Sequence, residues 1–288
     1  MFGLRSDGKR IKNIDPVMKM VPHIMFNRND AMVMQAQEYD CEGMDNYILE
    51  KRKTENVRFT YLDILVASFV RVISKRPKMN RFIMNGKVYK RKNIQISFAI
   101  KKKLVDSAEE TTVKLTFDGT ESIYDIKEKL DAVIKENKGV SKVNETDKVA
   151  KLLTRVPNFF IKYSVRFLMF LDKHGMMPKS MIEASPFHTS VFLVHLKSIK
   201  MPPVFHHIYN FGTTGVFISM GQEKYEPVVL NRETKEIVVK MMLKAGVVVD
   251  ERISDGLYNS LTLRYFKQIM EDPRILDTKN DEVIQDLD

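Results

Sequence analysis

The chain has 288 residues, of which 44% are hydrophobic and 9% aromatic, enough apolar material for a sizeable core. Its formal net charge of +10 is typical of proteins with an anionic partner: a nucleotide, a phosphate-bearing cofactor, a nucleic acid or a membrane surface. The single cysteine, Cys41, excludes an internal disulfide framework and favours a reducing compartment. No base stands beside it in the sequence, so we interpret it as a buried or incidental thiol rather than a nucleophile.

The first twelve residues carry four basic side chains but no apolar segment. Because a secretory signal needs such a segment, we expect no signal peptide. The cytoplasm is therefore the expected location, in agreement with the cysteine content.

One stretch, Val156–Leu171, is rich in Phe, Leu and Met. Lys162 and Arg166 interrupt it, so its apolar run is too short to span a bilayer and we predict a helix. The two cations are four residues apart and share one face of that helix. Either the helix lies on an anionic membrane, or it packs its apolar side and leaves a solvated stripe. The frequency of amphipathic helices in ordinary cores favours packing.

The first half of the chain carries signals for both helices and strands. Asp15 as N-cap, followed by Pro16, predicts a helix to about Asn27. Thr60 caps an apolar helix, Tyr61–Ser74, and the pair Asn85-Gly86 predicts a hairpin within Arg81–Arg91. Further strands are predicted at Met32–Asp40, Asn93–Lys101 and Thr111–Asp118, and further helices at Glu42–Lys53 and Ser122–Asn137.

The second half turns from helix to strand. Residues 139–147 are polar and are the best candidate for a loop or an internal seam, after which helical segments reach about His174. Strands are then predicted at Val191–Leu196, Val216–Met220, Pro227–Leu230 and Glu236–Val249. A last helix, Leu257–Glu271, stops at Pro273, and the acidic residues 277–288 are expected to fray. This order predicts an α+β sandwich with a mixed sheet flanked by helices.

Several functional motifs are missing from the sequence. It has no Gly-rich phosphate loop, no Cys/His metal spacing and no G-x-S-x-G elbow, which excludes kinases, zinc hydrolases and α/β-hydrolases. We therefore expect no metal. Basic runs such as Lys90-Arg91-Lys92 lack the aromatic platform of single-strand recognition, so we interpret them as solvated strand ends and expect no nucleic-acid partner.

The segment that carries chemistry is residues 244–272. An apolar run ending at Val249 leads into the turn Asp250-Glu251-Arg252-Ile253-Ser254-Asp255-Gly256, and a helix follows. This segment resembles the active-site motif of the CoA-dependent acyltransferases, which include the dihydrolipoyl acyltransferases of 2-oxoacid dehydrogenase complexes and the chloramphenicol acetyltransferases. Their pattern is D-H-R-x-x-D-G between a strand and a helix. Here the histidine alone differs, and Glu251 stands in its place.

The resemblance extends over most of residues 15–275. Arg58–Lys103, which contains Pro77-Lys78-Met79-Asn80, is similar to the family's helix, P-x-x-N and hydrophobic strand, and Met18–Asp40 is similar to its opening helix and strand. Phe205–Gly221 resembles the stretch around the family's I-N-P-P segment, with Phe211-Gly212 in place of the prolines. The resemblance implies a chloramphenicol acetyltransferase-like fold. It further implies one catalytic domain over residues 1–275, an acidic tail at 276–288, and no lipoyl or subunit-binding domain.

The resemblance also implies roles for single residues. The family histidine, at the position of Glu251, is the general base that deprotonates a thiol or hydroxyl for attack on the acyl-CoA thioester. The motif aspartate, Asp255, fixes the turn. A serine or threonine in a T-[IV]-[ST]-N-L setting hydrogen-bonds the oxyanion, and its counterpart in Phe192–Leu196 is Val194, so the hydroxyl is lost.

The histidines and one asparagine near these segments are the other candidates. Asn210 and His207 are candidate pocket residues by the same resemblance. Either His206 or His207 must face inward if their segment is extended. By strand alternation, His195 points away from the face that carries Val194.

Glu251 is open to two interpretations. A carboxylate accepts a proton from a thiol poorly unless burial makes it more basic, so a role as base is disfavoured. In the other interpretation Glu251 holds the turn through a salt bridge. Losing the base costs about 10²- to 10⁴-fold in rate and losing an oxyanion donor about 10²- to 10³-fold, so an enzyme that relied on both would be severely impaired.

The resemblance therefore implies a CoA-dependent acyltransferase of weakened or altered activity that moves an acyl group to a thiol or hydroxyl acceptor. It implies a homotrimer with the site between subunits, and coenzyme A or acyl-CoA as co-substrate, whose phosphates suit the basic composition. The alternative from another class is a non-catalytic trimeric binding or scaffold protein. A peripheral membrane protein that uses Val156–Leu171 is the least favoured alternative.

Overall fold

The computed structural model describes residues 5–101, 110–138 and 157–288. Within them the helices are α1 (Pro16–Ile24), α2 (Glu42–Thr54), α3 (Tyr61–Lys75), α4 (Ile123–Lys138), α5 (Asn158–Lys173), α6 (Lys179–Ala184) and α7 (Gly256–Glu271). The strands are β1 (Gly8–Arg10), β2 (Met32–Asp40), β3 (Arg81–Met84), β4 (Lys87–Arg91), β5 (Ile94–Lys101), β6 (Glu110–Phe117), β7 (Val191–His195), β8 (Val216–Met220), β9 (Lys224–Asn231) and β10 (Glu236–Asp250). The candidate seam at 139–147 lies outside the described residues.

Helices α1 and α3 and the β3–β4 hairpin begin or turn at the capping and turn residues that the sequence predicted. The Asp15 side chain accepts a hydrogen bond from the Val17 amide at 2.8 Å, and Thr60 and Asp63 form a reciprocal capping box at the start of α3. Asn85 and Gly86 both have positive φ, 51° and 67°, and join β3 to β4 through a two-residue loop. That backbone suits the twist of a hairpin, which confirms the prediction made from the Asn-Gly pair.

The main sheet has seven strands, with β2, β10, β8, β7, β5 and β6 side by side and β9 paired to the first half of β10. The pairs β5–β7 and β7–β8 are parallel, and the other pairs in this sheet are antiparallel. A smaller sheet, in the order β1-β4-β3, lies apart from it. The mixed sheet predicted from the sequence is thereby confirmed.

Apolar side chains cover both faces of the main sheet. On one face α3 packs against α4 and α7, and its residues 63–74 are all buried, as the sequence indicated. On the other face Phe192, Ile208, Phe217 and Val248 form a second, smaller cluster. Cys41 belongs to the larger core, and burial raises the pKa of its thiol to about 11, in line with an unreactive cysteine.

The acidic tail does not fray, so that prediction is wrong. Asp286 accepts two hydrogen bonds of 2.6 Å from the buried Arg81 guanidinium. The Asn280 side chain donates to Ser74 Oγ at 2.8 Å, and the Ile284 amide donates to the Ser74 carbonyl. The tail is therefore fixed to the body of the molecule, through Asp286 on Arg81 and through Asn280 and Ile284 on Ser74.

Helix α5 also departs from expectation. Phe159, Phe160, Tyr163, Phe167 and Phe170 are each at least 50% exposed, and within the helix only Asp172 is buried. The prediction that this helix packs its apolar side is wrong for all five of its aromatic residues. The spacing of the apolar residues in the sequence places these side chains on one face of the helix. It does not indicate what covers that face.

Candidate functional site

The turn after β10 is held by a buried ion pair. Asp250, fully buried, accepts hydrogen bonds of 2.8 Å from both Nε and Nη2 of Arg252. Arg252 also donates from Nη1 to the carbonyl oxygens of Met25 and Phe26, at 3.0 and 3.2 Å. This bidentate, charge-assisted contact fixes the turn against the end of α1.

Glu251 itself is exposed. Within the described residues its carboxylate has neither a hydrogen bond nor an ion pair. The interpretation that Glu251 holds the turn through a salt bridge is therefore wrong, because Asp250 and Arg252 form that bridge. The sequence carries a signal for this pair, an acid and an arginine two residues apart on either side of Glu251.

Asp255 and Ser254 complete the turn. The Asp255 carboxylate caps α7 by accepting a hydrogen bond from the Tyr258 amide at 2.8 Å, and this bond is the main cause of its lowered pKa. Lys78 Nζ lies 3.4 Å from the same carboxylate. The buried Ser254 hydroxyl bonds to Asn259 on the first turns of α7. Asp255 thus acts as the N-cap of α7.

Val194 lies on the face of the sheet that is opposite the helices. Its half-buried side chain packs against the cluster of Phe192, Phe217 and Val248. His195 points the other way, as strand alternation predicted, and burial lowers its pKa. Val194, the predicted counterpart of the oxyanion hydroxyl, is therefore an apolar part of the sheet surface.

One chain does not bring Val194 and Glu251 together. Strand register pairs Val194 with Ser219, and Ser219 with Gly246, so Val194 is level with Gly246 and two strands away from it. Gly246 precedes Glu251 by five residues, which at about 3.3 Å per residue is about 16 Å along the sheet. A site containing both positions needs a second copy of the chain.

The histidines near Asn210 separate into one inward and one outward residue. His206 stacks on Phe217 with ring centroids 4.3 Å apart, so His206 faces the sheet. His207 is exposed and lies beside Tyr209. Asn210 Oδ1 accepts hydrogen bonds from the amides of Arg28 and Asn29, at 2.9 and 3.2 Å. Asn210 therefore has a positioning role, and His207 is not the inward member of the pair.

A cavity of about 490 Å³ opens next to the motif turn. It lies between α1, the tip of the β3–β4 hairpin, α5 and residues 210–212, and both Asn210 and Arg252 line it. Gly212 has φ +85°, and a Cβ there would lie 2.3 Å from the Phe187 carbonyl, so only glycine fits this wall. Neither Glu251 nor His207 is among the lining residues.

Buried charges lie beside this cavity. Asp172 accepts a 2.7 Å bond from Arg5 and lies 3.1 Å from His188 Nε2. Burial works to raise the pKa of Asp172, but the bonds from His188 and Arg5 outweigh it and hold that pKa below its usual range. The His188 pKa is lowered by burial.

Two arginines are buried with incomplete pairing. Burial lowers the pKa of Arg28 to about 10 and that of Arg91 to about 9. Arg91 donates to the Thr189 carbonyl at 2.7 Å and to Thr213 Oγ1 at 2.9 Å. The interpretation of Lys90-Arg91-Lys92 as a solvated strand end is therefore wrong for Arg91. A run of three cations gave no signal that the middle one turns inward.

Neither a protein-family model nor a curated protein sequence matches this chain. Several solved structures match its fold, among them the following three. A probable dihydrolipoamide acetyltransferase from Listeria monocytogenes 4b F2365 is 16% identical, with a TM-score of 0.57 over 96% of this chain and 99% of that one. An Azotobacter vinelandii dihydrolipoamide acetyltransferase, studied for the catalytic roles of a serine, a histidine and an asparagine, is 12% identical, with a TM-score of 0.56 over 92% and 93%. A chloramphenicol acetyltransferase is 11% identical, with a TM-score of 0.53 over 91% and 99%.

These similarities cover nearly all of each chain and confirm the fold that the sequence motifs predicted. The chain has the chloramphenicol acetyltransferase-like fold.

Proposed function

We propose that this chain, built on the acyltransferase fold, is a CoA-dependent acyltransferase of weakened or altered activity. It transfers an acyl group from acyl-CoA to a thiol or hydroxyl acceptor. The observation that carries the proposal is the turn from Asp250 to Gly256: a buried ion pair and a helix cap hold Glu251 exposed between β10 and α7. In the Azotobacter vinelandii enzyme the histidine and asparagine under study are four residues apart, as Glu251 and Asp255 are here.

The chemistry needs a proton acceptor at this position. The acceptor thiol or hydroxyl attacks the thioester carbonyl and its proton passes to a base. The C–S bond then breaks, and the base returns the proton to the sulfur, so CoA leaves as the thiol. Glu251 supplies the carboxylate that stands where the base belongs. A carboxylate is a weaker base than an imidazole, and Val194 offers no hydroxyl to the oxyanion, so the rate is low.

The site is completed by a second copy of the chain in a homotrimer. Support comes from the separation of Val194 and Glu251 within one chain. The β9–β10 hairpin adds to it, because Tyr225, Val229, Ile237 and Val239 are all more than half exposed. Four exposed apolar side chains on one strand pair are typical of a surface that is buried against another subunit.

A non-catalytic trimeric binding protein is the second candidate. The specific observation in its favour is that both positions that carry catalytic groups in the resembling family, Glu251 and Val194, lack those groups. Such a protein would keep the acyl-CoA site and the assembly without turnover.

Calorimetry with acetyl-CoA, CoA and desulfo-CoA tests the shared part of both candidates. We expect binding in the micromolar to millimolar range. Failure to bind any of the three would overturn the acyltransferase proposal. Sedimentation equilibrium should give the mass of three 33.5 kDa chains.

Acyl transfer to dihydrolipoamide then separates the two candidates. Glu251→Gln should lower a measurable rate by about 10²-fold or more if the carboxylate is the base. The double variant Glu251→His with Val194→Ser restores both groups and should raise the rate above wild type by a similar factor. Equal rates in wild type and Glu251→Gln would exclude Glu251 as the base and favour the binding protein.

A further inference from the structure

Helix α5 displays an aromatic stripe with a row of cations along one edge. At about 100° per residue, Phe159, Phe160, Tyr163, Phe167 and Phe170 fall within an arc of about 100°. Lys162, Arg166 and Lys173 fall within the adjoining arc of about 40°. All eight side chains are exposed. The opposite side of the helix, around Leu168 and Asp172, faces the body of the molecule.

The exposed apolar surface continues onto α1. Val17, Met20, Ile24 and Phe26 are each more than 60% exposed. Phe26, which follows α1, lines the same cavity as Phe170 of α5, so the exposed apolar side chains of the two helices meet at its mouth through Phe26. Monomeric soluble proteins rarely expose so much contiguous apolar area, which marks an interaction surface.

The charges on this surface have one sign. The only acid on α5 is Asp172, which is buried and paired with Arg5, and α1 has no acid after its N-cap. Arg166 and Lys173 also line the cavity, together with Arg28 and Arg252. An occupant of this surface must therefore be apolar in bulk and anionic where it meets the cations.

We propose that the surface formed by α5 and α1 docks on an anionic phospholipid membrane, with α5 lying in the plane of the interface. Its aromatic stripe enters the boundary between headgroups and acyl chains, and Lys162, Arg166 and Lys173 meet the lipid phosphates. Among the described residues, none of the helices has the length and apolarity of a membrane-spanning segment. This function is independent of acyl transfer.

Vesicle flotation of the full chain tests the proposal. Wild type should float with vesicles of phosphatidylcholine containing 30% phosphatidylserine, and at least tenfold less with pure phosphatidylcholine. Phe160→Ala with Phe167→Ala, and separately Lys162→Glu with Arg166→Glu, should each reduce flotation at least tenfold. The matched control reverses two exposed cations of α2, Arg52→Glu with Lys53→Glu, and should float like wild type. High salt should weaken the binding of wild type.

Three outcomes would overturn the proposal. They are a wild type that stays with the unbound protein, equal flotation on neutral and anionic vesicles, or aromatic variants that float like wild type. If wild type does not float but forms an oligomer that Phe160→Asp with Phe167→Asp dissociates, the surface belongs to a second copy of the chain. Circular dichroism of each variant controls for folding.

Discussion

The turn at 250–256 and helix α5 are anchored in the same way but present opposite kinds of surface. Each is held by a buried aspartate that forms an ion pair with an arginine. Asp250 pairs with Arg252, and Asp172 pairs with Arg5. The turn uses that anchor to display a single carboxylate, Glu251. Helix α5 uses it to display five aromatic side chains. A buried ion pair therefore fixes the position of a segment without deciding what the segment presents to its partners.

The largest expected effect comes from removing the anchor of the turn. Asp250→Ala leaves the Arg252 guanidinium buried without its carboxylate, and Arg28 Nε, 3.8 Å from Asp250, loses its nearest acid. Breaking a buried pair in this way costs about 3 to 5 kcal/mol. Urea denaturation should show that loss in the free energy of unfolding. Asp250→Asn keeps the shape and part of the bonding and should lose less; equal losses would contradict the charge argument.

Removing the anchor of α5 should cost less. Asp172→Asn weakens the hydrogen bonds to Arg5 and His188, and bonds to charged groups are worth about 1.5 to 3 kcal/mol each. If α5 is anchored as the turn is, the loss should be about 2 to 3 kcal/mol by urea denaturation. A loss near zero would break the parallel between the two segments.

The pH dependence of this anchor follows from the two lowered pKa values. Burial favours the neutral form of His188. Its contribution to the free energy of unfolding is therefore complete above its unfolded-state pKa of 6.5 and declines as pH falls below that value. The Asp172 carboxylate contributes fully to the free energy of unfolding above its unfolded-state pKa of 3.8, and this contribution is lost as pH falls below that value. Melting temperatures from pH 7 to pH 3 should fall in both ranges. Asp172→Asn should flatten the lower range and steepen the upper one, because it removes the acid that raises the His188 pKa.

The smallest effect is expected at the helix cap of the turn. Asp255→Ala removes the acceptor for the Tyr258 amide and should cost about 1 kcal/mol. The exposed Asp281→Ala serves as a matched control, with a change within about 0.5 kcal/mol. If Asp255→Ala costs as much as Asp250→Ala, the cap rather than the ion pair holds the turn.

Local signals in the sequence predicted the elements well. Asp15-Pro16, Thr60 with Asp63, and Asn85-Gly86 act through bonds within a few residues, so their outcome depends little on the rest of the chain. The motif around Glu251 similarly identified the turn and the fold. The roles of Asp250 and Arg252 were missed because the motif drew the interpretation to the substituted residue.

The rest depended on distant partners. Arg91 turns inward to bond Thr213, 122 residues away, and the exposure of Phe167 depends on what the fold leaves uncovered. The residues that neighbour Arg91 and Phe167 in the sequence predict neither the inward orientation of Arg91 nor the exposure of Phe167. The separation of Val194 from Glu251 likewise required strand register, which a single sequence does not contain.

The pairing of Arg81 with Asp286 has a consequence for the order of events during synthesis. The two residues are 205 positions apart, and the guanidinium is buried in the folded protein. A nascent chain that has not yet delivered residue 286 from the ribosome must either leave Arg81 in water or bury it without its carboxylate. The hairpin of β3 and β4 should therefore reach its final packing late in translation, after helix α5 and the turn at 250–256 have already been synthesised.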